Sequence, residues 1–182
     1  MRLASVTKVK KGSVKPRDAL VVLKADHDSI AGLFRDYDKL GPSASARERG
    51  KRGLRICHLI AIHSAVEEEI FYPAVAAVLG AKAASLLAEA AIEHEVIDKL
   101  VGQLENIPAR DKNFDATIKV LARYVKHHVE MEEGRIFPLV RRARFDIAGT
   151  GERLVSRQLD LATQPLRKCL FREGRTVMAQ SA

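Results

Sequence analysis

Two stretches of this chain carry a histidine, a glutamate four residues later and a proline ten residues after the histidine. The first is His63-Ser64-Ala65-Val66-Glu67-Glu68-Glu69-Ile70-Phe71-Tyr72-Pro73, and the second is His128-Val129-Glu130-Met131-Glu132-Glu133-Gly134-Arg135-Ile136-Phe137-Pro138. Residues four apart lie one turn apart on the same face of an α-helix. Each stretch therefore aims an imidazole and a carboxylate at one point. A second pair of segments joins them, because His27-Asp28-Ser29-Ile30-Ala31-Gly32-Leu33 reads like His94-Glu95-Val96-Ile97-Asp98-Lys99-Leu100. The offset is 67 residues for this pair and 65 for the first, which suggests a duplicated helical hairpin. Two copies of this length do not make a solenoid.

The chemistry these residues suit is cation binding. Glu67 and Glu132 fall on apolar helix seams, where an unpaired carboxylate is costly, and no Lys or Arg occupies a nearby inner position to pair with them. With His27, His63, His94 and His128 they supply four imidazoles and two carboxylates. That is too many for one tetrahedral zinc. It suits two octahedral metals, each with two histidines, bridged by both glutamates at the separation of roughly 3.5–4 Å usual for two-metal sites. Nitrogen and oxygen donors without thiolate favour iron, with manganese and zinc as the alternatives. Ferritin-like bundles use Glu-x-x-His, and no Glu-x-x-His occurs here.

Other polar groups receive plainer readings. Tyr124, one turn before His128, is a candidate to donate a hydrogen bond to a bound oxygen ligand, against simple packing. Glu68 and Glu133 are expected at the edge of the site. His58 and His127 are expected off it, and Cys57, Met131 and the Phe-Pro pairs belong to packing.

The elements that must position these donors are helices. Leu20, Leu23, His27, Ile30, Phe34 and Tyr37 step by 3, 4, 3, 4, 3, one apolar seam with His27 in its middle. Pro16 suits the first turn of that helix, and Gly41-Pro42 ends it. A second helix carries Ile56, Leu59, Ile60, His63, Val66, Glu67 and Ile70 inward, and Pro73 is expected to end or kink it. A third is expected from about Ala81 to Asn106, with Leu87, Ala90, His94, Ile97, Val101 and Leu104 on its seam. A fourth begins near Asn113, with Ile118, Leu121, Tyr124, Val125, His128, Met131 and Glu132 inward, and is interrupted at Gly134 and Pro138. A turn at Gly149–Gly151 then precedes a weaker helix near Glu152–Ala162. No stretch alternates with period two. The expected fold is all-α, an antiparallel up-down-up-down four-helix bundle with a short fifth C-terminal helix. Residue counts from each histidine to its loops match to within about one helical turn, which sets all four histidines near one height.

At 182 residues the chain is expected to form one bundle domain with tails. The expected divisions are a disordered basic tail over 1–15, the bundle over 16–145, and a C-terminal helix with a basic tail over 146–182. The net charge of +8 resides at the ends, since residues 1–17 hold six Lys/Arg and no acid. Such tails are read as solvated, and no RNA- or DNA-binding motif accompanies them. No apolar run is long enough for a membrane helix. The two cysteines, Cys57 and Cys169, have no metal-type spacing. Low cysteine content and the lack of a secretory signal point to the cytoplasm.

Residues 17–140 resemble the hemerythrin-like family, the HHE cation-binding domains. The residues that carry the likeness are His27 in Ala-Asp-His-Asp, His63-x-x-x-Glu67, Glu93-His94, and His127-His128-x-x-x-Glu132-Glu-Gly. The segment to about 165 resembles the extra helix of longer bacterial members. The resemblance implies a non-haem di-iron centre in a four-helix bundle, with O2, peroxide or NO as the small-molecule ligand. Oxygen-carrying members place two histidines four apart on the third helix, whereas here the positions flanking His94 are Ala90 and Asp98. That departure weighs against simple reversible oxygen carriage. The leading expectation is a di-iron protein that binds or senses O2 or a related small molecule. The alternatives are a di-iron oxidoreductase acting on peroxide or nitric oxide, and an iron store or sensor.

Overall fold

Asp18 starts the first helix by accepting hydrogen bonds from the Leu20 and Val21 amides through its side chain. The computed structural model describes residues 17–163. The expected basic tails, with Pro16 and Cys169, lie outside the described residues. Helix α1 runs over Ala19–Asp38 and buries the seam read from the sequence, from Leu20 through His27 to Tyr37. Ser45 and Glu48 then cap each other reciprocally to start α2, Ala46–Val66. Helix α4 spans Ala81–Asn106 and stops just before Pro108. Helix α5, Lys112–Met131, starts from an Asp111 cap. There is no strand among the described residues.

The prolines do not break their helices. After α2 the chain widens into a π turn, Glu67–Phe71, and continues as α3, Tyr72–Leu79, with Pro73 in its first turn. After α5 it does the same through Glu132–Ile136 into α6, Phe137–Arg142, with Pro138 in the first turn. The Tyr72 amide bonds to the Glu67 carbonyl and the Phe137 amide to the Glu132 carbonyl, five residues back in each case. In an unbroken α-helix each proline ring would press on the carbonyl four residues behind it. One extra residue in the turn removes that clash and lets the rod run on.

Four antiparallel rods result: α1, α2–α3, α4 and α5–α6. A fifth helix, α7, covers Ile147–Ala162 and begins from an Asp146 cap five residues before the expected start. Gly149 and Gly151 lie inside this helix rather than in a turn. Their smallness serves packing, since a Cβ on Gly151 would fall 1.8 Å from the Arg17 carbonyl oxygen and one on Gly149 would meet the Asp146 carboxylate. Through Gly151 the backbone of α7 presses against the start of α1, while Leu154 and Leu161 enter the bundle core.

The core has two apolar clusters. One gathers Leu20, Leu23, Val66, Phe71, Val75, Ile136, Val140, Leu154 and Leu161 around the prolines and α7. The other gathers Ile30, Phe34, Ile56, Ile60, Ile97, Val101, Ile118 and Leu121. His27, His63, Glu67, His94, His128 and Glu132 form a buried polar layer between them.

Candidate metal centre

His27, His63, His94 and His128 project one each from α1, α2, α4 and α5, and all are at most 4% exposed. Glu67 and Glu132 open the two π turns and are fully buried. The donors fall into two groups. One ligand atom each from His27, His63, Glu67 and Glu132 lies within 4.8 Å of the others, and the same holds for Glu67, His94 and His128. Glu67 spans both groups, with Oε2 3.3 Å from His63 Nε2 and 3.4 Å from His94 Nε2. Glu132 also reaches both histidine pairs, with Oε2 3.2 Å from His27 Nε2 and 3.5 Å from His128 Nε2.

The outer face of each imidazole meets a carboxylate, and the pattern follows the sequence repeat. His27 Nδ1 lies 2.9 Å from Glu133, the residue after Glu132, and His94 Nδ1 lies 2.9 Å from Glu68, the residue after Glu67. His128 Nδ1 lies 2.9 Å from Glu93, the residue before His94. His63 Nδ1 faces Asp26, the residue before His27, at 3.5 Å. An ionised carboxylate only accepts, so His27, His94 and His128 each carry a hydrogen on Nδ1 and, when neutral, turn the Nε2 lone pair to the centre. The sequence places Glu68 and Glu133 at the edge of the site. The roles of Asp26 and Glu93 become visible only once the helices are packed.

The inner atoms are left over. His27 Nε2, His63 Nε2, both Glu67 oxygens and Glu132 Oε2 are buried without a hydrogen-bond partner. Buried polar atoms are rarely orphaned, and here they converge from three of the four rods. His94 Nε2 and His128 Nε2 face each other at 3.1 Å. With protons as the only cations at hand, burial opposes charge on His27, yet Glu132 and Glu67 outweigh it and raise its pKa from 6.5 to about 10. Burial also opposes charge on Glu67, but His63, His27 and His94 hold its carboxyl well below the ordinary 4.5. The layer is built to keep positive charge between its carboxylates. The residues fit a metal ion on this ground, and they fit the two-group arrangement as well.

The tyrosine at the site is Tyr72. Its hydroxyl donates to Glu132 Oε1 at 2.8 Å and lies 3.4 Å from His94 Nε2. Burial, with Glu67 and Glu132 nearby, pushes the phenol pKa well above its ordinary value. Tyr124 is instead 45% exposed. The buried stripe of α5 runs through Phe114, Ile118, Leu121, Val125 and His128, to one side of His128, and Tyr124 falls on the other. His127 is exposed and pairs with Glu93, while His58 belongs to neither donor group. Asp98, half-buried on α4, is in neither group, and burial pushes its pKa to about 6.

A family model described as the hemerythrin HHE cation binding domain matches residues 18–140. Among solved structures, the fold is similar to that of a hemerythrin HHE cation binding domain-containing protein from Mycobacterium kansasii, with a TM-score of 0.67. Identity to that protein is 23%, over 79% of this chain and 86% of that one. No curated protein matches the chain.

Proposed function

Because the chain belongs to the hemerythrin HHE cation-binding domain family, we propose that its buried layer holds two iron ions and that the protein binds or senses O2 or a related small molecule. His27 and His63 would hold one ion, His94 and His128 the other, with Glu67 and Glu132 reaching both. The observation that carries this reading is the set of orphaned Nε2 and carboxylate oxygen atoms converging between two apolar clusters. The donor set, imidazole and carboxylate without thiolate, favours iron.

Bound iron would supply redox change and open positions for a small ligand. The chain supplies the rest. Glu133, Glu68 and Glu93 fix the tautomer and tilt of their imidazoles. Phe137 stacks on the His27 ring at 5.9 Å, and Phe71 packs edge-on to Phe137. Both rings belong to the apolar cluster that covers one side of the layer. Tyr72 keeps a proton on its hydroxyl oxygen, next to Glu132.

That proton supports a second reading, an oxidoreductase acting on peroxide or nitric oxide, since such chemistry needs a proton donor inside a dry site. Elemental analysis of protein grown in iron-replete medium tests the common premise. Two iron ions per chain are expected, and well under one per chain after reconstitution would overturn it. Turnover of H2O2 and NO by the loaded protein then separates the two readings.

A further inference from the structure

The two halves of the centre differ in one carboxylate. Glu93 precedes His94 as Asp26 precedes His27, and Glu93 Oε2 reaches His128 Nδ1 at 2.9 Å. Asp26, one methylene shorter, stops 3.5 Å from His63 Nδ1. Its Oδ2 atom accepts a hydrogen bond from Gln158 Nε2 on α7 instead. His63 Nδ1 is consequently buried without a hydrogen-bond partner, whereas the other three site imidazoles each have one. Beside it α1, α2 and α7 leave a cleft of about 220 Å³, with Asp26, His63 and Gln158 at its polar end and Leu59, Val155 and Leu159 along its walls. Helix α7 lies beyond the residues matched by the family model.

We propose that Gln158 is a positioning residue that holds Asp26 off His63, and that it thereby makes the His27–His63 half of the centre the exchangeable half, filled and emptied through the α1–α2–α7 cleft. The inference rests on the two-ion reading above. A carboxylate on Nδ1 makes an imidazole a stronger donor and locks its ring, and losing such a partner typically lowers metal affinity by roughly 10–100-fold. His94 and His128 both keep theirs, so their ion is the retained one. The same helix that withdraws the partner also walls the cleft, so weak holding and access occur on one side of the bundle.

The test is release kinetics, read without any turnover. Full-length protein is loaded anaerobically with two equivalents of Fe(II) and mixed with excess ferrozine. Wild type should release iron in two phases of equal amplitude, with rates roughly 10–100-fold apart. Asp26→Glu gives this position the reach of Glu93 and should slow the fast phase by about tenfold or more, leaving the slow phase unchanged. Gln158→Leu frees Asp26 without altering α1 and should slow the same phase. Leu159→Trp narrows the cleft and should slow it without touching a donor. A single release phase from protein holding two ions, or a fast phase that none of the three variants moves, would overturn the inference and leave the two-ion centre standing. A chain that never takes up two ions would overturn that centre and the inference together.

Discussion

The Tyr72 hydroxyl crosses from one half of the bundle to the other to donate to Glu132 Oε1 at 2.8 Å. Its counterpart in the repeat is Phe137, which has no donor and stacks on His27. A phenyl ring is thus already accepted at this level of the fold. Tyr72→Phe should leave metal content at the wild-type level but destabilise the metal-stripped chain by about 1.5–3 kcal/mol, the usual worth of a hydrogen bond to a charged group. Denaturant melts in chelator, beside elemental analysis, read the two effects separately. Equal loss of metal and stability would instead make Tyr72 a ligand.

The two glutamates should be the least replaceable residues of the site. Each reaches both histidine pairs, so Glu67→Ala or Glu132→Ala removes a carboxylate that faces both pairs and should empty or halve the metal content. His58→Ala and His127→Ala, outside both groups, should not. Because metal binding is coupled to folding, the glutamate variants should also melt earlier than wild type in the presence of metal. Four variants with equal metal content would remove the assignment.

Protons and metal compete for the same carboxylates. His27, with its pKa raised to about 10, is protonated at pH 8 in the stripped protein, so metal uptake there should release about one proton on its account. Apparent affinity should climb as pH is raised toward 10. Calorimetry in two buffers of different ionisation heat measures the proton count.

In the stripped chain the stability contributed by His27 is full below its ordinary 6.5 and is lost as pH rises through about 10. The contribution of Glu67 is present above its ordinary 4.5 and is lost as pH falls through its lowered value. Melts in chelator should therefore show greatest stability between about pH 5 and 6.5, with a decline as pH rises from there toward 10.

Gly151 tests the docking of α7. A Cβ there would fall 1.8 Å from the Arg17 carbonyl oxygen, so Gly151→Ala must push α7 off the start of α1. The expected cost is about 1–3 kcal/mol, as for overpacking in a filled core. Amide exchange should quicken in α7 first, and a variant as stable as wild type would show that this contact yields easily.

Reaction with oxygen is the last test. Ala90, buried one turn before His94, has no donor atom, and Asp98 one turn after belongs to neither group. Each iron would then have two histidine nitrogens and room for more than one small ligand. The ferrous protein should oxidise on meeting O2 rather than store it. Stopped-flow mixing followed by argon sparging decides this, because a spectrum that returns to the reduced form would restore the carrier reading.

The sequence was a good guide wherever a strict 3.6-residue period held. Every seam residue named for α1 is buried, and the four histidines and two glutamates meet as their spacing implies. It misled where the period changes. Counted along an α-helix, Tyr72 lies about 140° around from Glu67 and off the site. The π turn brings it back over Glu67, and nothing but the proline six residues on hints at that. Tyr124 errs the other way, in phase with His128 yet outside the stripe that α5 buries. Gly149 and Gly151 read as a turn because close helix packing and backbone freedom call for the same residue.

The crossed carboxylates make each half of the bundle a stranger to itself. His27 takes its Nδ1 partner from Glu133 and His94 takes its partner from Glu68, each across the repeat. A hairpin on its own would bury imidazoles and acids whose partners sit on the other piece. The molecule is in effect an obligate heterodimer whose subunits are tied at Gly80, a turn residue at φ +49° with open space where a Cβ would stand. Cutting that tie should leave two fragments that are shapeless apart and rebuild one bundle when mixed.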